Sequence, residues 1–127
     1  MNQAIATEKA PSAIGPYSQA IRSDNLLFVS GQLGLDPATG DMVSLNAVDQ
    51  ARQALINLAA IATAAGTDIR KTIKTTIFLT DLSGFADINK IYGEAFAQPF
   101  PARSTIEVSA LPKGGMVEIE AVVGLRR

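Results

Sequence analysis

The chain has 127 residues, 47% of them hydrophobic and 18% charged, and its 11 Lys and Arg against 12 Asp and Glu leave a formal charge of −1. This is the profile of one folded domain over residues 1–127, with apolar surface to spare for an oligomer and no basic excess to draw nucleic acid or an anionic membrane. The absence of both Cys and His removes disulfides, thiolate nucleophiles, Ser-His-Asp triads and thiolate or imidazole metal ligands. Any chemistry must use carboxylates, Arg, Lys, Tyr, hydroxyls, the backbone or water. Met1 to Pro11 lacks the cationic and apolar regions of a secretory signal, and no segment approaches the roughly 20 apolar residues of a membrane span. The expectation is a cytoplasmic protein.

Taken in chain order, Asn2 to Ala6 and Tyr17 to Ile21 read as short strands separated by a turn-rich stretch with Pro11, Gly15 and Pro16. Leu26 to Ser30 is a continuous apolar run of the kind found in a buried strand, ending at Gly31. After Asp36, Pro37 and Gly40 the period changes to that of a helix. Val48, Ala51, Leu55, Leu58, Ala62 and Ala65 advance by three and four residues, with Asn46 as the cap, Asp49 near the positive end of the dipole and Gly66 as the stop. Lys71 to Thr80 is dense in β-branched residues and reads as a strand with Ile73, Thr75, Ile77 and Leu79 on one face. A second helix is expected from about Phe85 to Phe96, with Phe85, Ile88, Ile91 or Tyr92, and Phe96 as its apolar stripe and Asp81 or Ser83 as cap. Pro99 and Pro101 follow it, and two strands remain, near Arg103 to Val108 and Met116 to Leu125. The order predicts an α+β fold, a mixed sheet with both helices packed on one face.

In the last strand Val117, Ile119, Ala121, Val123 and Leu125 share one face, which must be the core side, so Glu118 and Glu120 point the other way. In the preceding strand Arg103, Thr105 and Glu107 alternate with Ser104, Ile106 and Val108. If these two strands pair, Arg103 meets a glutamate, either as an ordinary ion pair on a solvated face or as part of a cleft. Phe100, Pro101 and Ala102 give Arg103 a stiff apolar approach. Gly31, directly after a buried strand, either admits a ligand close to the backbone or serves only a bulge.

These residues also carry a resemblance. Ala6-Thr7-Glu8, Ala10-Pro11, Ile14-Gly15-Pro16-Tyr17 and Ser30-Gly31-Gln32 at the start, Ala51-Arg52-Gln53, Leu58, Lys74-Thr75-Thr76, Asp81-Leu82 and Asn89 in the middle, and Pro101-Ala102-Arg103-Ser104, Leu111 and Val117-Glu118-Ile119 at the end resemble the RidA, or YjgF, family along the whole chain. The resemblance implies a chorismate-mutase-like protomer in a homotrimer with clefts between subunits. It implies cofactor-free hydrolysis of 2-imino acids such as 2-iminobutanoate and 2-iminopropanoate, and of their enamine tautomers, to 2-oxo acids and ammonia. Carried over position by position, Arg103 binds the substrate carboxylate, Glu118 handles water and protons, and Tyr17, Ser30, Gly31, Asn89 and Thr105 line the cleft. Many relatives have Cys at the position of Thr105; here a hydroxyl and a methyl replace the thiol.

The residue types suit that chemistry. A guanidinium grips a carboxylate through two parallel hydrogen bonds, and a glutamate can orient a water and return a proton to departing ammonia. Glu120, on the same face, disfavours ionisation of Glu118 if it lies close, and is otherwise structural. Tyr17 serves the ligand or only packs a turn, and none of Lys9, Lys71, Lys74, Lys90 and Lys113 sits in a recognisable desolvated setting for Schiff-base chemistry. Two other functions compete: a noncatalytic trimer that binds small carboxylates, and a ribonuclease or translation inhibitor, against which the charge of −1 weighs.

Overall fold

The computed structural model describes residues 2–125. Three strands, β1 (Gln3–Ile5), β2 (Ala20–Ser23) and β3 (Leu26–Leu33), are followed by helix α1 (Ala47–Ala64), strand β4 (Thr72–Leu79), helix α2 (Phe85–Ala95) and strands β5 (Ala102–Glu107) and β6 (Val117–Gly124). All six strands join in one mixed sheet of order β1-β2-β3-β6-β4-β5, in which β4 and β5 are parallel and every other pair is antiparallel.

Helix α1 begins where the sequence places its cap. The Asn46 side chain accepts hydrogen bonds from the backbone N–H of Val48 and Asp49 at 2.8 and 3.1 Å, satisfying donors that have no partner within the helix. Beyond its last turn Gly66 takes φ +84°, a left-handed conformation that glycine adopts without steric cost. Ala51, Ala54, Leu55, Leu58, Ile61 and Ala62 are buried, and with Ile88, Ile91, Tyr92 and Phe96 from the second helix they cover Ala20, Leu27, Val29, Ile77, Leu79, Val117, Ile119, Ala121 and Val123 of the sheet. Both helices lie on this one face. Two buried amides fasten α1 to the strand ends. Gln50 donates to the Ser44 carbonyl at 2.9 Å and accepts from the Met116 N–H at 2.8 Å, and Asn57 donates to the Leu33 and Leu35 carbonyls at 3.1 and 3.0 Å.

The structure corrects the sequence reading at several points. The second strand is shifted to Ala20–Ser23, so Tyr17 lies in the preceding loop. The third does not stop at Gly31 but continues to Leu33 through a bulge between Val29 and Gln32. In β4 an irregularity between Thr72 and Lys74 buries Thr72 and leaves Ile73 49% exposed, while Thr75, Ile77 and Leu79 face the core as expected. Asp81 caps a short 3-10 turn, Leu82–Gly84, instead of α2 itself, whose N-terminus has no side-chain cap.

The largest correction concerns β5 and β6, which do not pair: β4 lies between them. One row of register partners runs across all six strands, Ile5, Ala20, Val29, Ala121, Thr75 and Arg103. Directly opposed residues share a face, so Arg103 stands on the helix-bearing side. A second row, Leu33, Glu118, Phe78 and Ile106, stands on the other, uncovered side. No ion pair joins Arg103 to a glutamate among the described residues. The row Arg103, Thr105 and Glu107 therefore faces α2 rather than a solvated sheet surface, and Glu107 uses its carboxylate to accept from the Leu82 N–H at 2.9 Å.

Candidate functional site

Two groups of residues, one on each face of the sheet, contain the candidates drawn from the sequence. The first is built where edge strand β5 passes under α2. The guanidinium carbon of Arg103 lies 5.0 Å from the centre of the Phe85 ring and 4.9 Å from that of Tyr92, both in cation–π range. Its Nη1 donates to Asn89 Oδ1 at 2.7 Å. Phe85, Asn89 and Tyr92 follow one another at helical spacings of four and three, so one face of α2 presents all three. Tyr92 is itself fixed: it is buried, its hydroxyl shares a 2.6 Å hydrogen bond with the buried Thr75 hydroxyl, and its ring packs against Phe96 at a centroid distance of 4.6 Å. Burial raises the Tyr92 phenol above its ordinary value; the Thr75 hydrogen bond and the Arg103 charge oppose that shift. The phenol is thus a neutral prop under the guanidinium.

Arg103, Asn89, Tyr92, Gly93, Phe100 and Pro101 line an open cleft of about 410 Å³. Asn89 is the one hydrogen-bond acceptor that Arg103 meets among the described residues. A cation held by two rings and one amide, with no carboxylate beside it, is prepared to receive an anion from outside. Thr105, two residues along the same face, is half-buried over the row of Gln32, Ile119 and Ile77.

The second group lies on the uncovered face. At the bulge of β3, the Ser30 hydroxyl donates to the Ser18 carbonyl at 2.6 Å, and the Ser30 N–H donates to the Gln19 carbonyl at 2.9 Å. Gly31 faces Glu118 so closely that a Cβ there would stand 2.5 Å from a carboxylate oxygen and 2.8 Å from the carboxyl carbon. The missing side chain is what makes room for that carboxylate. Glu118 is half-buried and has no salt bridge among the described residues. Desolvation by burial raises its pKa above the ordinary 4.5, and the neighbouring charge of Glu120 adds to the shift. Tyr17, 54% exposed, stands in the loop that leads to Ser18, and its hydroxyl accepts from the Ile14 N–H at 3.4 Å.

The structure thus brings Arg103, Asn89 and Thr105 to one face, and Ser30, Gly31 and Glu118 to the other, with Tyr17 on the loop tied to Ser30. Within one chain they do not converge. Four contributors escaped the sequence reading as site residues. The sequence pattern marks Phe85 and Tyr92 only as part of a core stripe. Gln19 is a buried hub that accepts from the Thr7 N–H and donates to the carbonyls of Thr7, Ala10 and Pro11. Gly93 sits in mid-helix at the cleft and carried no signal beyond being a glycine inside a helical pattern.

Comparison with known proteins gives a consistent picture. The family model described as Endoribonuclease L-PSP matches residues 7–124. RutC family protein y4sK of Sinorhizobium fredii is 62% identical over 125 residues, 98% of this chain and 99% of that one. The 2-iminobutanoate/2-iminopropanoate deaminase of Homo sapiens is 48% identical over 122 residues, covering 96% of this chain and 89% of the human protein. The crystal structure of Escherichia coli TdcF with bound serine superposes with a TM-score of 0.91 at 40% identity, covering 98% of this chain and 99% of that one.

Proposed function

The chain belongs to the Endoribonuclease L-PSP family, also called RidA or YjgF, and from that premise we propose that it hydrolyses reactive 2-imino acids, such as 2-iminobutanoate and 2-iminopropanoate, to 2-oxo acids and ammonia. The observation that carries the reading is Arg103, clamped by Phe85, Tyr92 and Asn89 at the mouth of a cleft and lacking an acidic partner among the described residues. That is the arrangement a planar carboxylate needs for a bidentate grip. The human relative's activity and the serine held by the E. coli relative support a small carboxylate with nitrogen on its second carbon.

In the reaction proposed, Arg103 holds the carboxylate and thereby fixes the imine carbon. Glu118, as a carboxylate, orients a water and takes a proton from it while the water oxygen adds to the protonated imine. Glu118 returns that proton to the carbinolamine nitrogen, the C–N bond breaks as ammonia leaves, and the hydroxyl proton passes back to the Glu118 carboxylate and on to water as the C=O of the 2-oxo acid forms. Burial and the nearby Glu120 charge raise the Glu118 carboxyl above its ordinary value, which favours its return of the proton to the nitrogen. Nothing in the sequence of steps calls for a thiol, so Thr105 serves as lining.

Since Arg103 and Glu118 stand on opposite faces of one sheet, the site requires a second copy. In the proposed homotrimer the helix-side cleft of one subunit, with Arg103, Asn89 and Thr105, meets the open face of its neighbour, with Glu118, Gly31, Ser30 and Tyr17. That open face supports such an assembly. Phe28 and Ile106 are 46% and 44% exposed on it, and Ile21, Phe78 and Val122 share the same side.

The test generates 2-iminopropanoate in situ with an amino-acid oxidase and traps what survives with semicarbazide. Wild type should lower semicarbazone formation, and folded Arg103→Ala and Glu118→Ala should not. A wild type without effect on several imino acids would favour the carboxylate-binding reading instead. The ribonuclease reading takes its support from names alone, those of the family model and of solved relatives whose descriptions carry the word endoribonuclease; absent or salt-independent RNA binding disposes of it.

A further inference from the structure

We propose that Thr75 and Tyr92 are positioning residues for the reaction, acting through Arg103: their buried hydroxyl pair fixes the ring on which the guanidinium is seated, and so sets how well the site binds a carboxylate. The inference rests on the deaminase reading above and concerns what holds its anchor. Arg103 on β5 has Thr75 on β4 as its register partner, so the two stand side by side on the helix-bearing face. The Thr75 hydroxyl shares a 2.6 Å hydrogen bond with the Tyr92 hydroxyl, and the Tyr92 ring centre lies 4.9 Å from the guanidinium carbon. These links close on themselves within one chain. Backbone pairing joins Arg103 to Thr75, a hydrogen bond joins Thr75 to Tyr92, and the Tyr92 ring meets the far end of the Arg103 side chain. Both ends of a long, rotatable side chain are thereby referred to one point of β4. The other two contacts of the guanidinium have no such tie: Asn89 is exposed, and Phe85 is the first residue of α2, a terminus without a side-chain cap.

The core needs neither hydroxyl. Thr75 and Tyr92 are both buried, and the neighbours of Thr75 along its register row, Ala121, Val29 and Ala20, are apolar. Valine has the shape of threonine, and phenylalanine that of tyrosine without its hydroxyl. Exchanging two bonded polar groups for apolar ones of the same shape is nearly neutral or stabilising, so stability does not explain the pair. What it adds is direction. A ring held only by packing can tilt and slide, whereas a ring whose hydroxyl is bonded to a strand moves only by breaking that bond. A guanidinium seated on such a ring is already in place when the carboxylate arrives, and the freedom of the arginine side chain is not lost again on binding. The substrate carboxylate keeps its charge throughout the reaction, so the seat acts on substrate and transition state alike. Its effect belongs in KM rather than kcat.

The experiment measures thermal midpoints by circular dichroism and, below the lowest of them, kcat and KM for 2-iminopropanoate. It compares wild type with Thr75→Val, Tyr92→Phe, the double variant carrying both changes, and Thr75→Ser. Thr75→Val and Tyr92→Phe each strand one buried hydroxyl and should lower the midpoint, whereas the double variant strands none and should melt close to wild type. KM should rise about fivefold or more in both single variants and stay raised in the double variant, with kcat within about twofold of wild type. Thr75→Ser keeps a hydroxyl and should keep KM within about twofold of wild type. A pair that serves only the core gives a different pattern: the double variant regains wild-type KM along with wild-type stability. That result overturns the inference, as does an unchanged KM in the single variants or a loss confined to kcat, and each leaves the deaminase reading standing. A wild type that turns over no 2-imino acid overturns the deaminase reading and this inference with it.

Discussion

Replacing Arg103 with lysine keeps the positive charge and removes the geometry. The guanidinium is planar, lies 5.0 and 4.9 Å from the Phe85 and Tyr92 ring centres, and is tethered to Asn89 by a 2.7 Å hydrogen bond. A lysine ammonium is a rotatable point charge that cannot present two parallel donors to a carboxylate. Losing one hydrogen bond to a charged group costs about 1.5 to 3 kcal/mol, which converts to a fall in kcat/KM of about 10- to 150-fold. Because Arg103 is exposed on an edge strand, the fold itself should lose less than about 1 kcal/mol. The assay pairs semicarbazide-trapped turnover of 2-iminopropanoate with thermal melts followed by circular dichroism. An Arg103→Lys variant that melts like wild type and retains kcat/KM within about threefold would refute the carboxylate anchor.

Three further outcomes follow from the geometry. Glu118→Gln should lower kcat by at least about 100-fold, the low end of what a general acid or base contributes. Its effect on stability has a definite sign: the raised carboxyl holds its proton more tightly in the folded state, so its contribution is full below the ordinary 4.5 and is lost as pH rises through the folded value. Between pH 4 and 7 the wild type should therefore lose stability relative to Glu118→Gln in denaturant melts; an equal or opposite change contradicts the sign. Gly31→Ala places a Cβ 2.5 Å from the Glu118 carboxylate, whose flexible end must swing away. The protein should fold and lose about tenfold or more in kcat, and full activity would show that the Glu118 position is not critical. Thr75→Val leaves the buried Tyr92 hydroxyl without its 2.6 Å partner, a loss of about 1 to 3 kcal/mol by urea titration. A midpoint equal to wild type would mean the hydroxyl finds another partner.

How much of this could be read in the amino-acid order depends on how local the cause is. The Asn46 cap, the α1 stripe and the alternation of β6 arise from neighbours within a few residues, and the structure bears them out. The family follows from residues spread along the chain, and the match over residues 7–124 agrees. Strand pairing is different, because it depends on which strand enters between two others. Alternation correctly put Arg103 and Thr105 on one face of β5, but only the insertion of β4 between β5 and β6 decides that this face is opposite to that of Glu118. The irregularity at Ile73 reversed a single residue for the same reason, since one extra residue shifts the alternation, whereas at Ser30 the adjacent Gly31 already offered a bulge and the structure has one. Phe85 and Tyr92 were legible as apolar residues on a helix. That their rings hold a cation as well as a core became visible only once β5 was docked beneath them.

The proposed sharing of the site between two subunits makes one measurement decisive. Arg103→Ala and Glu118→Ala, each expected to be inactive alone, are refolded together in equal amounts and assayed for imine hydrolysis. If a head-to-tail ring supplies Arg103 from one subunit and Glu118 from the next, about one site in four of the mixed population carries both residues. The mixture should then recover about a quarter of wild-type activity, on the same principle of random heterologous assembly. Were both residues to act within one chain, every site would lack one of them. Assembled mixed oligomers that stay as inactive as the two parents would contradict the shared site.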